Sequence, residues 1–305
     1  MKTIFIVNPE AGQGKNIKEF INEINTIASN LRSDVEVYTT KCVGDARNFT
    51  ENYCKNNGAV RFIACGGDGT LNEVINGAIE FENAEIGVIP LGTGNDFCKN
   101  FDKSSDFKNI SSQILGKTVK CDAIKYKNDI ETGYCVNMFN IGFDCNVADL
   151  TADIKKRPLI SGPFAYFLSI IISLIKKSGA DLKIELDGEI KHDGALLLTS
   201  IANGSYCGGG IMSNPLASFN DGSINVNIIR NISRLKFISL LPAYMKGTFL
   251  KMKNINSIIS SLHCKNIIIT PKDNKMRLCI DGEIKNATKT EFNIIHNAFN
   301  FVVPK

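Results

Sequence analysis

Two short segments of the sequence combine glycines with an aspartate and a threonine, residue types that together can bind a phosphate group and a metal ion. They are Gly66-Gly67-Asp68-Gly69-Thr70 and Gly92-Thr93-Gly94-Asn95-Asp96. Glycines let the backbone approach a ligand closely, and backbone N–H groups at the start of a helix attract anions. A carboxylate beside them makes chemical sense if a Mg²⁺ ion lies between it and a phosphate chain.

The sequence around the first segment predicts a strand-to-helix turn. Residues 60–65 are a short apolar run, typical of a buried parallel strand. After the glycines, Leu71, Val74, Ile75 and Ala78 recur at helical spacing. The alternative to a phosphate site is an ordinary turn in which Asp68 caps the helix.

A third glycine loop follows the first predicted strand. It contains Asn8-Pro9, then Gly12 and Gly14. It is not a Walker A motif, because Gly14-Lys15 is followed by Asn16 and the upstream glycine is missing. A phosphate contact and a flexible loop are both open for this segment.

Residues 1–130 alternate strand and helix signals, which predicts an α/β domain with a parallel sheet and right-handed crossovers. The predicted strands are Thr3–Val7, Val35–Thr39, residues 60–65, Glu85–Pro90 and Thr118–Tyr126, and the predicted helices lie at about 16–30, 45–56, 105–115 and from Thr70 onward. Ligands of such sheets bind at the carboxyl ends of the strands. The loops after Val7, Cys65 and Pro90 can therefore converge on one site.

After a polar boundary at residues 128–132, strand signals dominate and predict a second, mainly antiparallel domain over 131–292, a sandwich or folded sheet. The predicted strands are Tyr134–Ile141, Asp181–Leu186, Ala195–Ala202, Ile224–Ile229, Ile255–Ser260, Asn266–Thr270 and Met276–Ile280, with helices at about 146–156, 163–177 and 234–250. The tail, residues 293–305, contains the apolar run Phe299–Val303, which can pack back on the first domain.

Composition narrows the function classes. The net charge of +4 comes mostly from lysine, and no Arg-rich cluster with interleaved aromatic residues predicts nucleic-acid binding. Ten single cysteines without CxxC or zinc spacing suit a reducing cytosol. The longest apolar stretch, Pro163–Ile175, is shorter than the roughly 20 residues of a membrane span. It can be a core helix or a helix at a membrane surface, and no transmembrane segment is predicted.

The glycine motifs resemble the catalytic domain shared by diacylglycerol, sphingosine and ceramide kinases and by bacterial soluble lipid kinases. The resemblance rests on Asn8-Pro9 with Gly12, on residues 66–73 and on residues 92–97. It continues in the same order with Asn203-Gly204, Gly208-Gly209-Gly210, Pro215-Leu216-Ala217, Asn220-Asp221-Gly222 and Asp281-Gly282-Glu283. The resemblance implies an N-terminal domain like NAD kinase and phosphofructokinase and a C-terminal β-sandwich.

The resemblance also implies roles for individual residues. The residues implied to contact ATP are Asn8, Pro9, Gly12, Thr40, Gly66, Gly67, Asp68, Gly69, Thr70, Leu71, Asn72 and Thr93. Asp68, Asp96 and Asp122 would hold a catalytic Mg²⁺, partly through water, although Asp122 by pattern alone is a polar residue in an alternating strand.

In the second domain the resemblance implies that Glu283 is the general base and that Ser218, Asp221 and Ser223 hold a structural Mg²⁺. A hairpin turn is the competing interpretation of Asp281-Gly282-Glu283, and a turn competes likewise at Asn220-Asp221-Gly222. Many family members have Asp where this chain has Asn220, which can weaken that metal site.

The predicted function is an ATP- and Mg²⁺-dependent lipid kinase that converts diacylglycerol to phosphatidate. Its expected partner is a lipid at the membrane surface, reached by a cytoplasmic, peripherally associated protein, and a homodimer is left open. Alternatives are a kinase for another lipid alcohol (phosphatidylglycerol, a sphingoid base or ceramide), an NAD kinase, and a regulator without turnover. Asn72-Glu73 and the second glycine turn favour a lipid kinase over NAD kinase.

Overall fold

The alternating strands and helices that the sequence predicts form the first of two units. The computed structural model describes residues 1–12, 16–102, 104–143 and 179–304. The chain divides into residues 1–122 with 297–305 as one unit and residues 123–296 as the other.

The first unit has a parallel sheet in the order β2-β1-β3-β4. Its strands are β1 (Lys2–Val7), β2 (Val35–Thr39), β3 (Val60–Gly66) and β4 (Ala84–Pro90), and its helices are α1 (Ile17–Asn30), α2 (Asp45–Asn56), α3 (Asp68–Ala78) and α4 (Ile110–Leu115), with 3₁₀ turns at Phe97–Asn100 and Ser104–Lys108. Every residue of β3 is buried, as expected for a mainly apolar parallel strand, and its one charged residue, Arg61, is paired with Glu85 at 2.7 Å.

The strand order reverses between β1 and β3, because β2 lies on one side of β1 while β3 and β4 lie on the other. Open parallel sheets bind ligands in the crevice outside the carboxyl ends of their strands at such a switch point. The loops that follow β1 and β3, which carry Asn8 and Gly67, begin at this point. The topology therefore places two of the three glycine loops at the crevice.

The last residues of the chain complete the first unit. Strand β15 (Thr290–Val303) pairs in parallel with β4 at its end, with Asn300 opposite Glu85 and Phe301 opposite Ile86. Phe301 is fully buried, and its ring centroid lies 5.0 Å from that of Phe97 and 5.1 Å from that of Phe101. Phe97 directly follows the second glycine segment. The C-terminal strand therefore supports that segment from beneath.

The second unit is antiparallel. Strands β13, β7, β9, β8 and β12 are neighbours in that order, β14 pairs with β13, and β10 pairs with β9 and β11. Their bounds are β6 (Thr132–Cys135), β7 (Met138–Gly142), β8 (Ala180–Leu186), β9 (Glu189–Ala202), β10 (Ile224–Arg230), β11 (Ile259–Cys264), β12 (Asn266–Pro271), β13 (Met276–Ile280) and β14 (Glu283–Ala287), and β5 (Lys117–Lys127), which begins in the first unit, pairs with β6.

Two buried apolar clusters hold the second unit together. One joins alternate residues of the strands, including Phe139, Ile184 and Phe292. The other joins α5 (Arg234–Met245) to the sheet through Phe237 and Tyr244. Since each strand contributes inward residues at every second position, the period-two pattern in the sequence is explained by these clusters.

Several predicted strands differ from the structure. Those predicted at Ala195–Ala202 and Phe299–Val303 are the ends of longer strands that begin at Glu189 and Thr290. The predicted strand Tyr134–Ile141 is divided into β6 and β7, because Val136 and Asn137 between them accept hydrogen bonds from Asn203 (Nδ2 to Val136 O, 2.8 Å; backbone N to Asn137 O, 2.9 Å). The predicted strand Ile255–Ser260 was wrong at its start. Asn254 takes a left-handed conformation with φ 59°, a 3₁₀ turn follows over Ile255–Ser257, and β11 begins only at Ile259.

Two predicted helices are shorter than expected. The helix at 234–250 ends at Met245, because Gly247 has φ 67° and its N–H bonds to Tyr244 O at 3.2 Å, a common glycine stop. The helix at 105–115 is divided, since the Asn109 side chain accepts from the Ser112 N–H and starts α4 anew. The helices predicted at about 146–156 and 163–177, and the apolar segment Pro163–Ile175, lie outside the described residues.

Within the described ranges, no helix has both the length and the apolar character needed to cross a membrane.

The aromatic cluster under the second glycine segment gives a stability prediction. We expect Phe301→Ala to lower the free energy of unfolding by about 3–5 kcal/mol, because it leaves a cavity among buried rings. Phe301→Leu, which keeps most of the volume, should cost clearly less. Denaturant unfolding of both variants measures the difference. A loss below about 1 kcal/mol for Phe301→Ala would contradict the proposed support.

Candidate active site

The three glycine loops of the first unit are hydrogen-bonded to one another at the carboxyl ends of the strands. The Asn8 backbone N–H donates to Cys65 O at 3.0 Å, and its side-chain Nδ2 donates to Thr70 Oγ1 at 3.1 Å. The Leu91 N–H donates to Gly66 O at 2.8 Å. The loops after β1, β3 and β4 therefore lie at one edge of the sheet, as the sequence predicts.

Glycines are required in residues 66–70 and 92–96 because the backbones of these two segments lie in direct contact. A Cβ on Gly92 would lie 2.5 Å from Gly67 Cα, and a Cβ on Gly66 would lie 2.3 Å from Thr70 Oγ1. A Cβ on Gly94 would lie 2.5 Å from Asp68 Oδ2. All three distances are shorter than real Cβ contacts. A side chain at Gly92 or Gly94 would push the two loops apart, and one at Gly66 would displace Thr70 within its own loop.

Asp68 connects the two glycine segments. Its Oδ2 accepts from the Asn95 N–H at 2.7 Å, and its Oδ1 accepts from the Asp96 N–H at 2.8 Å. Helix α3 begins with Gly67 as its N-cap and has no side-chain capping bond. The alternative that Asp68 simply caps its own helix is therefore not what the structure has.

Asp96 is paired with a lysine that the sequence interpretation missed. Lys99 Nζ lies 2.7 Å from Asp96 Oδ1 and also donates to Gly94 O at 2.7 Å. The signal that could have found Lys99 is its spacing, three residues after Asp96 at a helix start. A Cβ on Gly94 would lie 3.6 Å from Asp96 Oδ2 as well as 2.5 Å from Asp68 Oδ2, so both carboxylates flank this glycine.

Asn95 shapes the second glycine segment, and its role was also missed. Its φ is 52°, a left-handed conformation that asparagine tolerates better than most residues. Its side chain accepts from the Gly92 N–H at 3.2 Å and donates to Gly92 O at 2.6 Å. These bonds close the turn and direct the N–H groups of Asn95 and Asp96 toward Asp68.

The electrostatics of this cluster favour a bound cation beside an anion. Burial, and secondly the negative charge of Asp68, raise the pKa of the Cys98 thiol to about 12, so this thiol is neutral and adds no negative charge at physiological pH. The first turn of α3, which starts at Asp68, supplies partial positive charge from its N–H groups. Lys99 supplies a full positive charge. These groups suit a phosphate and a hard divalent cation together.

The remaining predicted ATP-binding residues lie at the same edge in different environments. Pro9 and Thr93 are exposed, and Thr40 is held by its N–H bond to Val7 O at 2.9 Å. The Leu71 side chain is only 3% exposed, so a ligand could reach this residue only through its backbone. Gly12, Gly69 and Asn72 are partly buried.

Glu73 has a different role from its neighbours in the motif. Its Oε1 accepts from the Gly44 N–H at 2.8 Å and its Oε2 from the Ala46 N–H at 3.2 Å. Gly44 is the N-cap of α2. Glu73 therefore caps the neighbouring helix, because the unpaired N–H groups at a helix start bind a carboxylate well.

Asp122 is fully buried and accepts a hydrogen bond from the backbone of the C-terminal strand. Its Oδ1 accepts from the Asn297 N–H at 2.7 Å, where Asn297 has φ 55°. This bond fastens β5 to β15. Among the described residues, no three His, Cys, Asp or Glu side chains form a group arranged to hold a metal ion. The three-aspartate network stays a prediction.

Glu283 begins a strand directly after a tight hairpin turn in the second unit. Asp281 and Gly282 have φ of 46° and 97°, and Ile280 pairs with Glu283 across the hairpin, which fits a two-residue turn. The competing turn interpretation is therefore correct as structure, and it leaves the role of Glu283 open. Asp281 Oδ1 accepts from the Met138 N–H at 2.8 Å and from the Cys135 thiol at 3.1 Å, which fixes the turn.

The predicted structural metal site is a turn closed by its own side chains. Ser218 Oγ donates to Asn220 Oδ1 at 3.0 Å, and Asp221 Oδ1 accepts from the Ser223 N–H at 3.0 Å. Ser223 Oγ also lies 3.2 Å from His263 Nδ1. Ser218, Asp221 and Ser223 thus share one turn, and its role in binding a metal stays a prediction.

Two family models match consecutive parts of the chain. The first, described as "Diacylglycerol kinase catalytic domain", matches residues 2–126. The second, described as "YegS C-terminal NAD kinase beta sandwich-like domain", matches residues 137–303, more than half of the chain. Together with the parallel and antiparallel sheets, these matches confirm the predicted fold class: an N-terminal α/β domain and a C-terminal antiparallel β-sandwich.

Curated relatives and solved structures agree with these matches. A Staphylococcus aureus (strain MSSA476) protein named "Putative lipid kinase" is 29% identical over 295 residues, which covers 94% of this chain and 92% of that protein. A crystal structure of "a putative diacylglycerol kinase" from Bacillus anthracis str. Sterne has a TM-score of 0.78 at 23% identity, covering 99% of this chain and 97% of that chain. Another from the same organism has a TM-score of 0.77 at 22% identity, covering 99% and 96%. These structures show a shared fold.

The bonds of Asp68 give a local prediction. Asparagine can accept at only one of the two positions, and its NH₂ group would face the other backbone N–H. We expect Asp68→Asn to weaken the connection between the glycine loops by about 1–3 kcal/mol. Hydrogen exchange at the Asn95 and Asp96 amides should accelerate accordingly. Asp102→Asn, at an exposed position of the same unit, is the control and should leave both amides unchanged. If hydrogen exchange at these amides is unchanged in Asp68→Asn, Asp68 does not hold the two glycine loops together.

Proposed function

The chain belongs to the diacylglycerol kinase catalytic-domain family, and we propose that it is an ATP- and Mg²⁺-dependent kinase that phosphorylates the free hydroxyl of diacylglycerol to give phosphatidate. That the protein is a lipid kinase is supported by the family match and by the names of the curated relatives. The observation that carries the proposal is the connection of the two glycine segments through Asp68 at the switch point of the sheet.

The glycine loops are the proposed binding place of the ATP phosphates. Gly67 and Gly92 have no side chains, so a ligand can approach their backbones closely. N–H groups at the start of α3 and the Lys99 ammonium attract phosphate oxygens. Phosphoryl transfer needs mainly positioning and neutralisation of charge, which such a cradle supplies.

Asp68 and Asp96 are the proposed residues that hold Mg²⁺. Both carboxylates flank Gly94, and Mg²⁺ prefers one or two carboxylates together with waters and substrate phosphates. The two carboxylates therefore fit Mg²⁺ in the type and the number of their oxygen ligands. When bound, Mg²⁺ would neutralise the charge that develops on the phosphate oxygens.

Glu283 is the proposed general base. Its carboxylate would take the proton of the lipid hydroxyl as that oxygen forms a bond to the γ-phosphorus, while the bond from this phosphorus to the leaving oxygen breaks and ADP departs. The side chain is exposed at the start of β14, and the turn before it is fixed by Asp281. A base must be accessible to its substrate, and this position meets that requirement.

The alternatives differ in the acceptor. The names of the curated relatives favour a lipid over NAD⁺, although the second family model is described as NAD kinase-like in its sandwich. Phosphatidylglycerol, a sphingoid base or ceramide would use the same residues. Loss of catalysis is not favoured, because Asp68, Asp96 and Glu283 are all present. We also propose that the protein acts in the cytoplasm and meets its substrate at the membrane surface.

A labelling experiment separates these acceptors. The chain is incubated with γ-labelled ATP and Mg²⁺ and offered diacylglycerol, phosphatidylglycerol, a sphingoid base, ceramide and NAD⁺ separately. We expect label in phosphatidate and none on NAD⁺, and no transfer without Mg²⁺. Label on NAD⁺ alone would overturn the lipid-kinase proposal, and label on another lipid would correct its substrate. Bound ATP without transfer to any acceptor would indicate a regulator.

Glu283→Gln tests the general base. We expect kcat to fall by roughly 10²–10⁴ because a positioned base contributes about that factor. Affinity for ATP and the free energy of unfolding should not change, since the side chain is exposed and glutamine suits a strand edge. Glu291→Gln, at another exposed strand position, is the matched control and should keep full activity. If Glu283→Gln keeps most of the activity, the base is another residue.

A further inference from the structure

Positive charge is concentrated in one continuous part of the second unit. Residues 222–272 contain eight lysines and arginines and no aspartate or glutamate, although the whole chain has a net charge of only +4. The rest of the chain is therefore net negative. This segment spans β10, α5, β11 and β12. Within the described ranges, Lys236, Lys246, Lys251 and Lys253 are exposed and belong to none of the ion pairs.

Helix α5 also exposes large apolar side chains on its outer side. Phe237 and Tyr244 face inward, where their rings lie 5.0 Å from Phe143 and 5.4 Å from Phe249. Leu235 is 81% exposed and Ile238 is 52% exposed, three residues apart and thus on one helix face. A helix that is apolar on both its inner and its outer side is expected to bind a further apolar partner through its outer side.

The turn after α5 continues this surface. Phe249 and Leu250 pack on the same buried cluster as the inner side of α5. The next residues, Lys251, Met252 and Lys253, are all exposed, and Met252 is 41% exposed. We call Leu235, Lys236, Ile238, Lys246, Lys251, Met252 and Lys253 the basic apolar surface. It alternates lysines with apolar side chains.

We propose that the basic apolar surface docks the protein on a bilayer that contains anionic phospholipids. Lysines near such a bilayer are attracted by its negative surface potential, and apolar side chains beside them enter the boundary between headgroups and acyl chains. The proposal rests on the proposed lipid kinase function, because a substrate with two acyl chains lies in a bilayer. It adds the part of the molecule that makes the contact and the lipid charge that it requires.

Two other occupants fit this surface less well. A nucleic acid would attract the lysines but would leave Leu235 and Ile238 in water, and exposed stacking aromatics are not among these residues. A second copy bound through the same face would bring the lysines of both chains together, and like charges repel. An anionic bilayer satisfies both the charge and the apolar side chains.

Sedimentation of the full chain with vesicles tests the charge requirement. We expect binding to vesicles of phosphatidylcholine with one-third phosphatidylglycerol, weaker binding to phosphatidylcholine alone, and loss of the difference at high salt. Lys236→Gln, Lys251→Gln and Lys253→Gln together should lower the partition coefficient roughly a hundredfold, at about fivefold per lysine. The control removes the same charge elsewhere, through Lys108→Gln, Lys117→Gln and Lys120→Gln. Equal binding by the two triple variants would overturn the proposal.

Insertion can be observed directly, because the chain contains no tryptophan. Leu235→Trp places a single reporter on the basic apolar surface, and Ile190→Trp places one at an exposed position of the same unit away from it. With anionic vesicles we expect a blue shift of emission and quenching by brominated acyl chains for Leu235→Trp only. Equal responses, or a shift with DNA but not with vesicles, would contradict bilayer docking.

The kinase assay distinguishes a failure of docking from a failure of the proposed function. On short-chain diacylglycerol dispersed below its aggregation limit, the Lys236, Lys251 and Lys253 triple variant should keep the turnover of the unchanged chain. On long-chain diacylglycerol in anionic vesicles its rate should fall with its binding. An unchanged chain that phosphorylates no lipid but binds anionic vesicles would overturn the function and leave the docking surface. If the unchanged chain phosphorylates diacylglycerol but the triple variant binds anionic vesicles equally well, the kinase function is supported and the docking surface is overturned.

Discussion

The Asp68 carboxylate is the interaction on which the rest of the candidate site depends. It accepts two short hydrogen bonds from consecutive backbone N–H groups of the second glycine segment. Asp68 itself belongs to the first glycine segment and is the first residue of helix α3. Charge-assisted bonds of this kind are about twice as strong as neutral ones. They hold together two loops whose backbones lie in direct contact at Gly67 and Gly92. Without this carboxylate, the glycines would leave the same loops poorly ordered.

Asp68 therefore has a structural role in this arrangement beside the chemical role proposed for it. The two N–H bonds hold the carboxylate between the two glycine segments at the carboxyl end of the sheet. Lys99 and the buried ring of Phe97 fix the other side of the same segment. The proposed catalytic role requires a carboxylate that is held in place, and the backbone of the second glycine segment supplies that restraint.

The second unit carries the Glu283 hairpin and the exposed lysines of the basic apolar surface on different elements. Its apolar strand positions build the cluster around Phe139 and Phe292, and the Asp281–Gly282 turn presents Glu283 at the end of a fixed hairpin. Helix α5 and the turn after it carry exposed lysines and apolar side chains instead. Each feature follows from local chemistry: a tight turn exposes its flanking residue, and a helix without acidic residues has no internal partners for its lysines.

The sequence by itself determined the order of strands and helices, the two sheet types and the three glycine loops, because these depend on local periodicity and on glycine's freedom. Only the tertiary structure decided that Asp68 bonds to residues 95 and 96 rather than capping its helix, and that Glu73 caps α2. It also decided that the Asp122 carboxylate accepts a hydrogen bond from the Asn297 N–H. Hydrogen bonds between residues distant in sequence depend on the distance between elements, and no local pattern encodes that distance.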